Sequence, residues 1–301
     1  MYHDKKDILE MIQIVVGDIV TTKADAIVNS TNPTFSGSGG IDYAVHKAAG
    51  AELPRALQGR AKLPEGQAVI TPAFQIQSAT HIIHTVAPGW QGGFSGEEHI
   101  FSQCYANSLQ LALDHRCESI AFPCMGVGAK HFPENRAAEI ALNTVYYFLK
   151  RLDGASPIQQ IIFVCNNAQR AEIYKKHLKR LILESFVQCC SPETLFGSHS
   201  FQRYFTYMTL LANLEWGEPG KYNDYIPKFT QASYPKLPHT HSQYDIYATQ
   251  LNTWDYNTSL AYIIFLQRAA YWSGGLSAPH GDQCANGTIR RILLRMLAML
   301  Q

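Results

Sequence analysis

Strand-like and helix-like segments alternate along residues 11–180, and this alternation restricts the possible folds more than any other feature of the chain. Apolar residues recur at every second position over residues 12–16, as in a β-strand, and at helical spacing from Ile41 to Ala48. Alternating strands and helices favour a three-layer α/β/α sandwich. Further strands are predicted over residues 66–74, 80–86, 119–123 and 161–165, and further helices over residues 98–115, 135–151 and 168–183.

The composition changes near residue 184. Residues 190–246 are rich in Pro, Tyr and His, which is typical of connecting segments. We therefore predict two domains, an α/β domain over residues 1–184 and a mostly α-helical domain over residues 185–301. Helical patterns in the second domain cover residues 201–214, 242–251, 259–272 and 287–300.

Charge and cysteine usage exclude several classes of protein. The net charge of +1 predicts neither a general nucleic-acid surface nor attraction to anionic membranes. Residues 1–13 carry charges where a signal peptide would be apolar. The sequence contains no run of 18 apolar residues, so no membrane-spanning helix is expected. The seven cysteines are scattered and include no Cys-x-x-Cys pair, so we expect reduced thiols, a cytoplasmic location and no bound metal.

Residues 29–50, NSTNPTFSGSGGIDYAVHKAAG, form the first candidate binding segment. Asn29 and Asn32 precede a glycine-serine loop at residues 37–40, and a helix then begins with Asp42 in its first turn and His46 one turn later. Glycines allow a close backbone approach to a ligand, and free N–H groups at a helix N-terminus attract anions. The layout predicts a phosphate or ribose cradle, with a plain tight turn as the alternative. Its spacing matches neither the Rossmann fingerprint nor the P-loop.

Three further segments accompany residues 29–50, namely Val16-Gly17-Asp18-Ile19 with residues 24–29, residues 81–88 (HIIHTVAP) and residues 122–133 (FPCMGVGAKHFP). In order and spacing these four motifs resemble macrodomains, the ADP-ribose-binding family, and in particular their MacroD-type hydrolase branch. The resemblance extends over residues 11–180 and implies a mixed central sheet with ligand loops at its C-terminal edge. The C-terminal region more weakly resembles a small bacterial helical domain of unknown function, which implies no chemistry.

The resemblance implies binding roles along both loops. Asp18 would accept a hydrogen bond from the adenine amine, Asn29 and Asn32 would contact or orient the distal ribose, and the second loop would wrap the diphosphate with backbone N–H groups. From the residues alone, a turn-capping Asp18 and loop-closing asparagines stay open as alternatives. The predicted ligand-binding residues are Asp18, Ile19, Asn29, Gly37, Ser38, Gly39, Gly40, Ile41, Gly126, Val127, Gly128, Ala129, Lys130, Phe132 and Asn166.

The same resemblance implies three catalytic residues, Asn32, Asp42 and His46. The Asn32-to-Asp42 spacing of ten and the Asp42-to-His46 spacing of four both match the MacroD-type branch. Asp42 would orient or deprotonate a water for attack at the anomeric carbon. Residues at i and i+4 share one helix face, so His46 could orient Asp42. The alternatives are a first-turn acid favoured by the helix dipole and a structural histidine.

Two positions depart from the MacroD-type pattern. Lys130 stands where that branch often has an aromatic residue against the distal ribose, and Asn166 stands where an aromatic residue usually stacks on adenine. Base stacking contributes roughly 1–3 kcal/mol elsewhere, so these departures predict weaker binding. Phe132 could compensate on the ribose side.

The resemblance thus implies a bacterial-type hydrolase of acyl-linked ADP-ribose, acting on mono-ADP-ribosylated Asp or Glu of proteins or on O-acetyl-ADP-ribose. No metal or redox cofactor is expected, and nucleic acid is expected only as an ADP-ribosylated substrate. One alternative is a reader that binds ADP-ribose without turnover. Another is an antidote to a partner ADP-ribosyltransferase toxin, docked through the C-terminal domain.

Overall fold

The computed structural model describes residues 7–152, 156–189, 198–217, 254–263 and 288–300. The strands are β1 (Ile12–Val16), β2 (Ala26–Ser30), β3 (Ala68–Pro72), β4 (His81–Thr85), β5 (Ser119–Pro123) and β6 (Gln160–Cys165). The helices are α1 (Ile8–Met11), α2 (Gly40–Ala49), α3 (Glu52–Leu57), α4 (Glu97–Asp114), α5 (Glu134–Arg151), α6 (Ala168–Cys189), α7 (Ser198–Trp216) and α8 (Thr288–Met299), with a further helical segment at residues 256–263.

The six strands form one mixed sheet in the order β1-β6-β5-β2-β4-β3. β3 is antiparallel to β4, and the other neighbouring pairs are parallel. The carboxyl ends of β1, β6, β5, β2 and β4 therefore share one edge. In open α/β sheets this edge is where ligands bind. The predicted site residues lie at the carboxyl ends of these strands or in the segments that follow them.

Register rows alternate between the two faces of the sheet, as expected for strands. Ile27, Ala121 and Ile162 form one row, and they pack into the buried cluster that also contains Val45 of α2 and Leu53 of α3. The next row contains Phe122 and Phe163, on the opposite face. Its rings contact those of Tyr105 from α4 and Tyr174 from α6. Helices thus cover both faces, and the predicted α/β/α sandwich with a mixed sheet is confirmed.

Most element bounds lie within about three residues of the predicted ones, and three differences stand out. Helix α6 continues to Cys189 rather than ending near Leu183, and the short helices α1 and α3 were not predicted. Strand β3 is shorter than the predicted strand over residues 66–74. Gly66 has a φ of +81°, a left-handed conformation that extended strands do not use, so the strand begins after it.

The chain divides into two compact units, residues 1–177 and 178–301. In the second unit Phe186 packs against Tyr207, and Lys179 pairs with Glu215 and lies over the ring of Tyr256. Its described elements are helical, as predicted. The predicted helix over residues 242–251 and most of that over 259–272 lie outside the described residues. Since the division falls within α6, the domain boundary near residue 184 stays a prediction.

Candidate active site

Asn32 shapes the first loop through hydrogen bonds to its own neighbours. Its Oδ1 accepts from the backbone N–H groups of Thr34 (3.0 Å) and Ser36 (3.2 Å). Its Nδ2 donates to the hydroxyls of Ser36 and Ser38. The loop-closing alternative for Asn32 therefore describes this structure, and a contact with ribose would have to exchange some of these bonds.

Asp42 is buried in the first turn of α2 and is held at both carboxylate oxygens. Oδ1 accepts from Asn29 Nδ2 at 2.8 Å, and Oδ2 accepts from the Gly37 backbone N–H at 3.0 Å. His46 Nε2 lies 3.5 Å from Oδ1, one turn along the helix. Because two donors from different segments fix the carboxylate, its orientation is set before any ligand arrives.

The glycines of the first loop have two different roles. Gly37 has a φ of +65°, and a Cβ atom there would lie 2.9 Å from His46 Cγ. Only glycine lets this backbone approach the histidine and donate to Asp42. Gly39 and Gly40 also have positive φ, but a Cβ atom at either would meet nothing within 4 Å. Ser38, Gly39 and Gly40 are exposed, so open space lies next to this part of the loop.

A buried histidine that sequence reasoning missed lies beneath Asp42. His84 of β4 places Nδ1 3.1 Å from Asn29 Nδ2 and Nε2 3.0 Å from the Thr71 hydroxyl. Burial, followed by the charges of His46 and Arg60, lowers the pKa of His84 from 6.5 to about 3. His84 is therefore neutral in this site at physiological pH. The segment HIIHTVAP pointed to the strand, but not to a polar role for its second histidine.

The lowered pKa of His84 predicts an acid-sensitive fold. Between pH 6.5 and pH 3 the unfolded chain binds a proton that the folded chain excludes, so stability falls as the pH decreases through this window. The slope is about 1.4 kcal/mol per pH unit for one group. The slope approaches this value only below the unfolded pKa, so urea unfolding at pH 6.5 and pH 5 should show that His84→Asn loses about 1.6 kcal/mol less than the wild type. Equal losses in both proteins would contradict the assigned pKa.

The second loop is built around Gly126. Its φ is +78°, and a Cβ atom there would lie 2.8 Å from the Phe101 ring. The Phe132 N–H donates to Gly126 O at 3.0 Å, and the His131 N–H donates to Gly128 O at 2.9 Å, so the loop closes on itself. Residues 127–129 are partly or fully exposed, and they are the part of this loop that a ligand can reach.

Lys130 and Phe132 occupy different environments in this loop. Lys130 Nζ lies 3.6 Å from Glu65 Oε1, and its backbone carbonyl accepts from the Trp90 N–H at 2.8 Å. Phe132 is only 3% exposed and stacks on Phe101 with ring centroids 4.4 Å apart. Phe132 therefore stabilises the base of the loop, and contact with ribose would require its ring to leave this stack.

Glu97 organises a loop that sequence reasoning did not single out. Its buried carboxylate accepts from the backbone N–H groups of Gln91 (3.1 Å), Gly93 (2.6 Å) and Ser95 (2.7 Å). Backbone N–H donors of this kind lower the pKa of Glu97. The loop joins the second binding loop through Trp90, whose ring packs on Phe132. It also presents Phe94, which is 96% exposed.

The predicted adenine residues follow the adjacent strands β1 and β6. Asp18 is exposed, and its Oδ1 accepts from the Val20 N–H at 3.1 Å, as in the turn-capping alternative. The Ile19 side chain is buried. Asn166 accepts a hydrogen bond from Arg170 Nη1 at 2.8 Å. The Gly17 N–H donates to Cys165 O, so the two segments lie side by side.

Two free cysteines lie at the carboxyl ends of β5 and β6, where the second binding loop and the Asn166 segment begin. Cys124 follows β5, Cys165 ends β6, and their Sγ atoms are 3.3 Å apart. The Cys124 thiol donates a hydrogen bond to Cys165, which lowers the pKa of Cys165 and raises the pKa of Cys124.

Within the described residues no three His, Cys, Asp or Glu side chains group as metal ligands would, and no helix there is long and apolar enough to span a membrane.

The Macro domain family model matches residues 28–141. The chain is 42% identical over 170 residues to the O-acetyl-ADP-ribose deacetylase of Klebsiella pneumoniae (strain 342). The aligned region covers 55% of this chain and 95% of that relative. The chain belongs to the macrodomain family.

Solved structures agree with this assignment. The Oceanobacillus iheyensis macrodomain with ADP superposes with a TM-score of 0.54 at 36% identity, over 57% of this chain and 92% of that chain. The Trypanosoma brucei macrodomain in complex with ADP-ribose gives a TM-score of 0.51 at 29% identity, over 57% and 71% of the two chains. The similarity therefore reaches well beyond the glycine loops.

Proposed function

We propose that this chain binds ADP-ribose along the carboxyl edge of the sheet and hydrolyses acyl-linked ADP-ribose in the cytosol. The observation that carries the proposal is the buried Asp42 carboxylate, held by Asn29 and Gly37 beside the exposed part of a glycine loop. The deacetylase name of the Klebsiella relative and the ADP-ribose complex of the Trypanosoma macrodomain support it.

Strand order supports one direction for the ligand. The segments predicted to hold adenine, diphosphate and distal ribose follow β1 and β6, then β5, then β2, and these strands are adjacent in that order. The three spacings from β1 to β2 amount to about 14 Å. Adenine would lie near Asp18, Ile19 and Asn166, the diphosphate at residues 126–129, and the distal ribose at residues 37–41.

Asp42 would act on a water beside the distal ribose. The carboxylate orients the water and accepts its proton while the water oxygen bonds to the carbon of the ester linkage and the bond from that carbon to the leaving oxygen breaks. Asp42 then returns the proton to the leaving oxygen, so the products are ADP-ribose and a carboxylic acid. Holding the water and the ester in one geometry supplies much of the acceleration, with proton transfer adding to it. The i+4 position of His46 suits it to orient Asp42 rather than to contact the ester.

Incubation of the protein with a mono-ADP-ribosylated acidic protein and with O-acetyl-ADP-ribose tests the proposal. Release of free ADP-ribose, followed by chromatography, is the expected result. Binding of ADP-ribose without release from either substrate would favour a reader instead. Lys130, paired with Glu65, and Asn166, bonded to Arg170, are the observations that favour that second function.

Asp18→Ala should weaken ADP-ribose binding by about 1.5–3 kcal/mol, the usual contribution of a hydrogen bond to a charged group. Calorimetry checks this, with Glu118→Ala as the control because Glu118 is exposed at the opposite edge of the sheet, before β5. AMP should bind more weakly than ADP-ribose, and GDP-ribose much more weakly. An unchanged affinity in Asp18→Ala would leave Asp18 with the turn-capping role alone.

A truncated chain ending at Glu184 should fold, bind ADP-ribose and keep most of its hydrolase activity. It contains every strand of the sheet and both binding loops. Residues 185–301 would then influence partner choice or substrate access. A second truncation at Cys189, the end of α6, serves as the matched control. Loss of ADP-ribose binding in both truncated chains would show that the proposed boundary is misplaced.

A further inference from the structure

Three neighbouring strands place polar side chains side by side under Asp42. Asn29 pairs directly with His84 in the parallel β2–β4 register, and Thr71 pairs with Ile82, two residues before His84. Alternate residues of a strand share one face, so Asn29, His84 and Thr71 all project from the face that carries α2. All three are buried. Buried polar groups need partners, which makes the direction of each hydrogen bond here decidable.

The chemistry of the groups sets every direction in this row. A carboxylate only accepts, so the group of Asn29 that lies 2.8 Å from Asp42 Oδ1 is the NH₂. The second hydrogen of that NH₂ points to His84 Nδ1, which must therefore be unprotonated. A neutral His84 then carries its proton on Nε2 and donates to the Thr71 hydroxyl. The order of donation is His84 to Thr71, and Asn29 to both His84 and Asp42.

The orientation of the Asn29 amide is therefore set by the two hydrogen bonds that its NH₂ group donates. Among the residues that the structure describes, Asn29 Oδ1 has no hydrogen-bond partner. Rotating the amide by 180° would turn its oxygen towards the Asp42 carboxylate and the Nδ1 lone pair, which loses two hydrogen bonds and creates two repulsions. His84 is fixed in turn by Thr71 on the next strand.

We infer that His84 is a positioning residue for the proposed hydrolysis, acting through the Asn29 amide to hold the Asp42 carboxylate in its reactive orientation. The inference rests on the proposed function. His84 is fully buried, and the hydrogen bonds that it makes among the described residues go to Asn29 and Thr71 rather than to Asp42. Its contribution is an acceptor at Nδ1, placed by the strand register, that keeps the amide hydrogens where Asp42 needs one of them.

This role predicts a kinetic pattern that a purely structural role would not produce. Without the acceptor at residue 84 the Asn29 amide can rotate, and the Asp42 carboxylate loses its fixed orientation at Oδ1. Small misplacements of a reacting group reduce rates strongly, whereas ground-state binding through the other loops is retained. The turnover number should therefore fall while the KM and the ADP-ribose affinity stay near those of the wild type.

The test compares two substitutions of similar size in the full-length protein. His84→Asn keeps an oxygen acceptor close to the position of Nδ1, whereas His84→Leu removes it. His84→Leu should lower kcat for O-acetyl-ADP-ribose at least roughly tenfold with KM within about threefold, and His84→Asn should stay within about threefold of the wild-type kcat. Thr71→Val, which keeps the volume and frees Nε2, should lower kcat without changing the affinity for ADP-ribose. If His84→Leu does not fold, the kcat of Thr71→Val tests the positioning role in its place, and an unchanged kcat would overturn that role.

The outcomes separate this inference from the function on which it rests. A wild-type protein that binds ADP-ribose but releases none from its acyl ester would overturn the hydrolase function and this inference with it. If the wild type turns over the ester and His84→Leu has the same kcat, only the positioning role would be overturned. An equal loss in His84→Leu and His84→Asn would do the same, since the retained acceptor would then have no effect.

Discussion

Asp42→Asn should lower the release of ADP-ribose at least roughly tenfold while leaving the affinity for ADP-ribose within a few-fold. The substitution keeps the shape of the side chain but removes its charge and its ability to accept a proton from water. It also places an NH₂ against either the Asn29 amide or the Gly37 N–H, both of which are donors. Steady-state kinetics with O-acetyl-ADP-ribose and calorimetry with ADP-ribose separate the two effects.

His46 provides an internal comparison for this prediction. Its Nε2 lies 3.5 Å from Asp42 Oδ1, a longer contact than the two hydrogen bonds that hold the carboxylate. His46→Gln should therefore lower kcat less than Asp42→Asn does. If Asp42→Asn keeps the full rate, the role assigned to Asp42 is wrong, whatever His46→Gln does.

Gly126→Ala should destabilise the macrodomain by about 2–5 kcal/mol, because it combines backbone strain with overpacking. The φ of +78° is unfavourable for alanine, and the new Cβ would lie 2.8 Å from Phe101. Phe101 cannot move away easily, since it stacks on Phe132 and contacts Tyr105. Urea unfolding measures the loss, and the distorted loop should also bind ADP-ribose more weakly.

Gly128→Ala is the matched control for stability two residues along the same loop. Gly128 does not have a positive φ, and a Cβ atom there would meet nothing within 4 Å. Its free energy of unfolding should stay within about 0.5 kcal/mol of the wild type, as for substitutions away from packed or strained positions. Similar losses in the two variants would mean that the contact with Phe101 does not determine the stability of the loop.

Periodicity predicted the sandwich because its strands are short, apolar and separated by amphipathic helices. Strand β5 has the predicted bounds, Ser119–Pro123, and α5 begins one residue earlier than predicted. Helix α3 was missed because ELPRAL is only six residues long and contains a proline, and local patterns are weak over so short a span. The end of α6 was missed because residues 184–189 belong to the second unit. Local periodicity carries no information about how that unit packs.

The glycine loops were visible in the sequence because their residues are close together in the chain. The residues that support them were not. Asn29 and His84 are 55 positions apart, and they meet only because β2 and β4 pair in a particular register. Glu97 was not singled out from the sequence, yet its carboxylate accepts from three N–H groups of the preceding loop. Hydrogen bonds set by tertiary register leave little trace in local patterns.

Titration of the full-length protein with ADP-ribose by calorimetry tests the central claim most directly. The claim is that the segments after β1, β6, β5 and β2 together form one ADP-ribose site. We expect a single site per chain, weaker binding of AMP, and a clear loss of affinity in Asp18→Ala but not in Glu118→Ala. A flat titration at millimolar ADP-ribose, with the protein shown to be folded, would contradict the account.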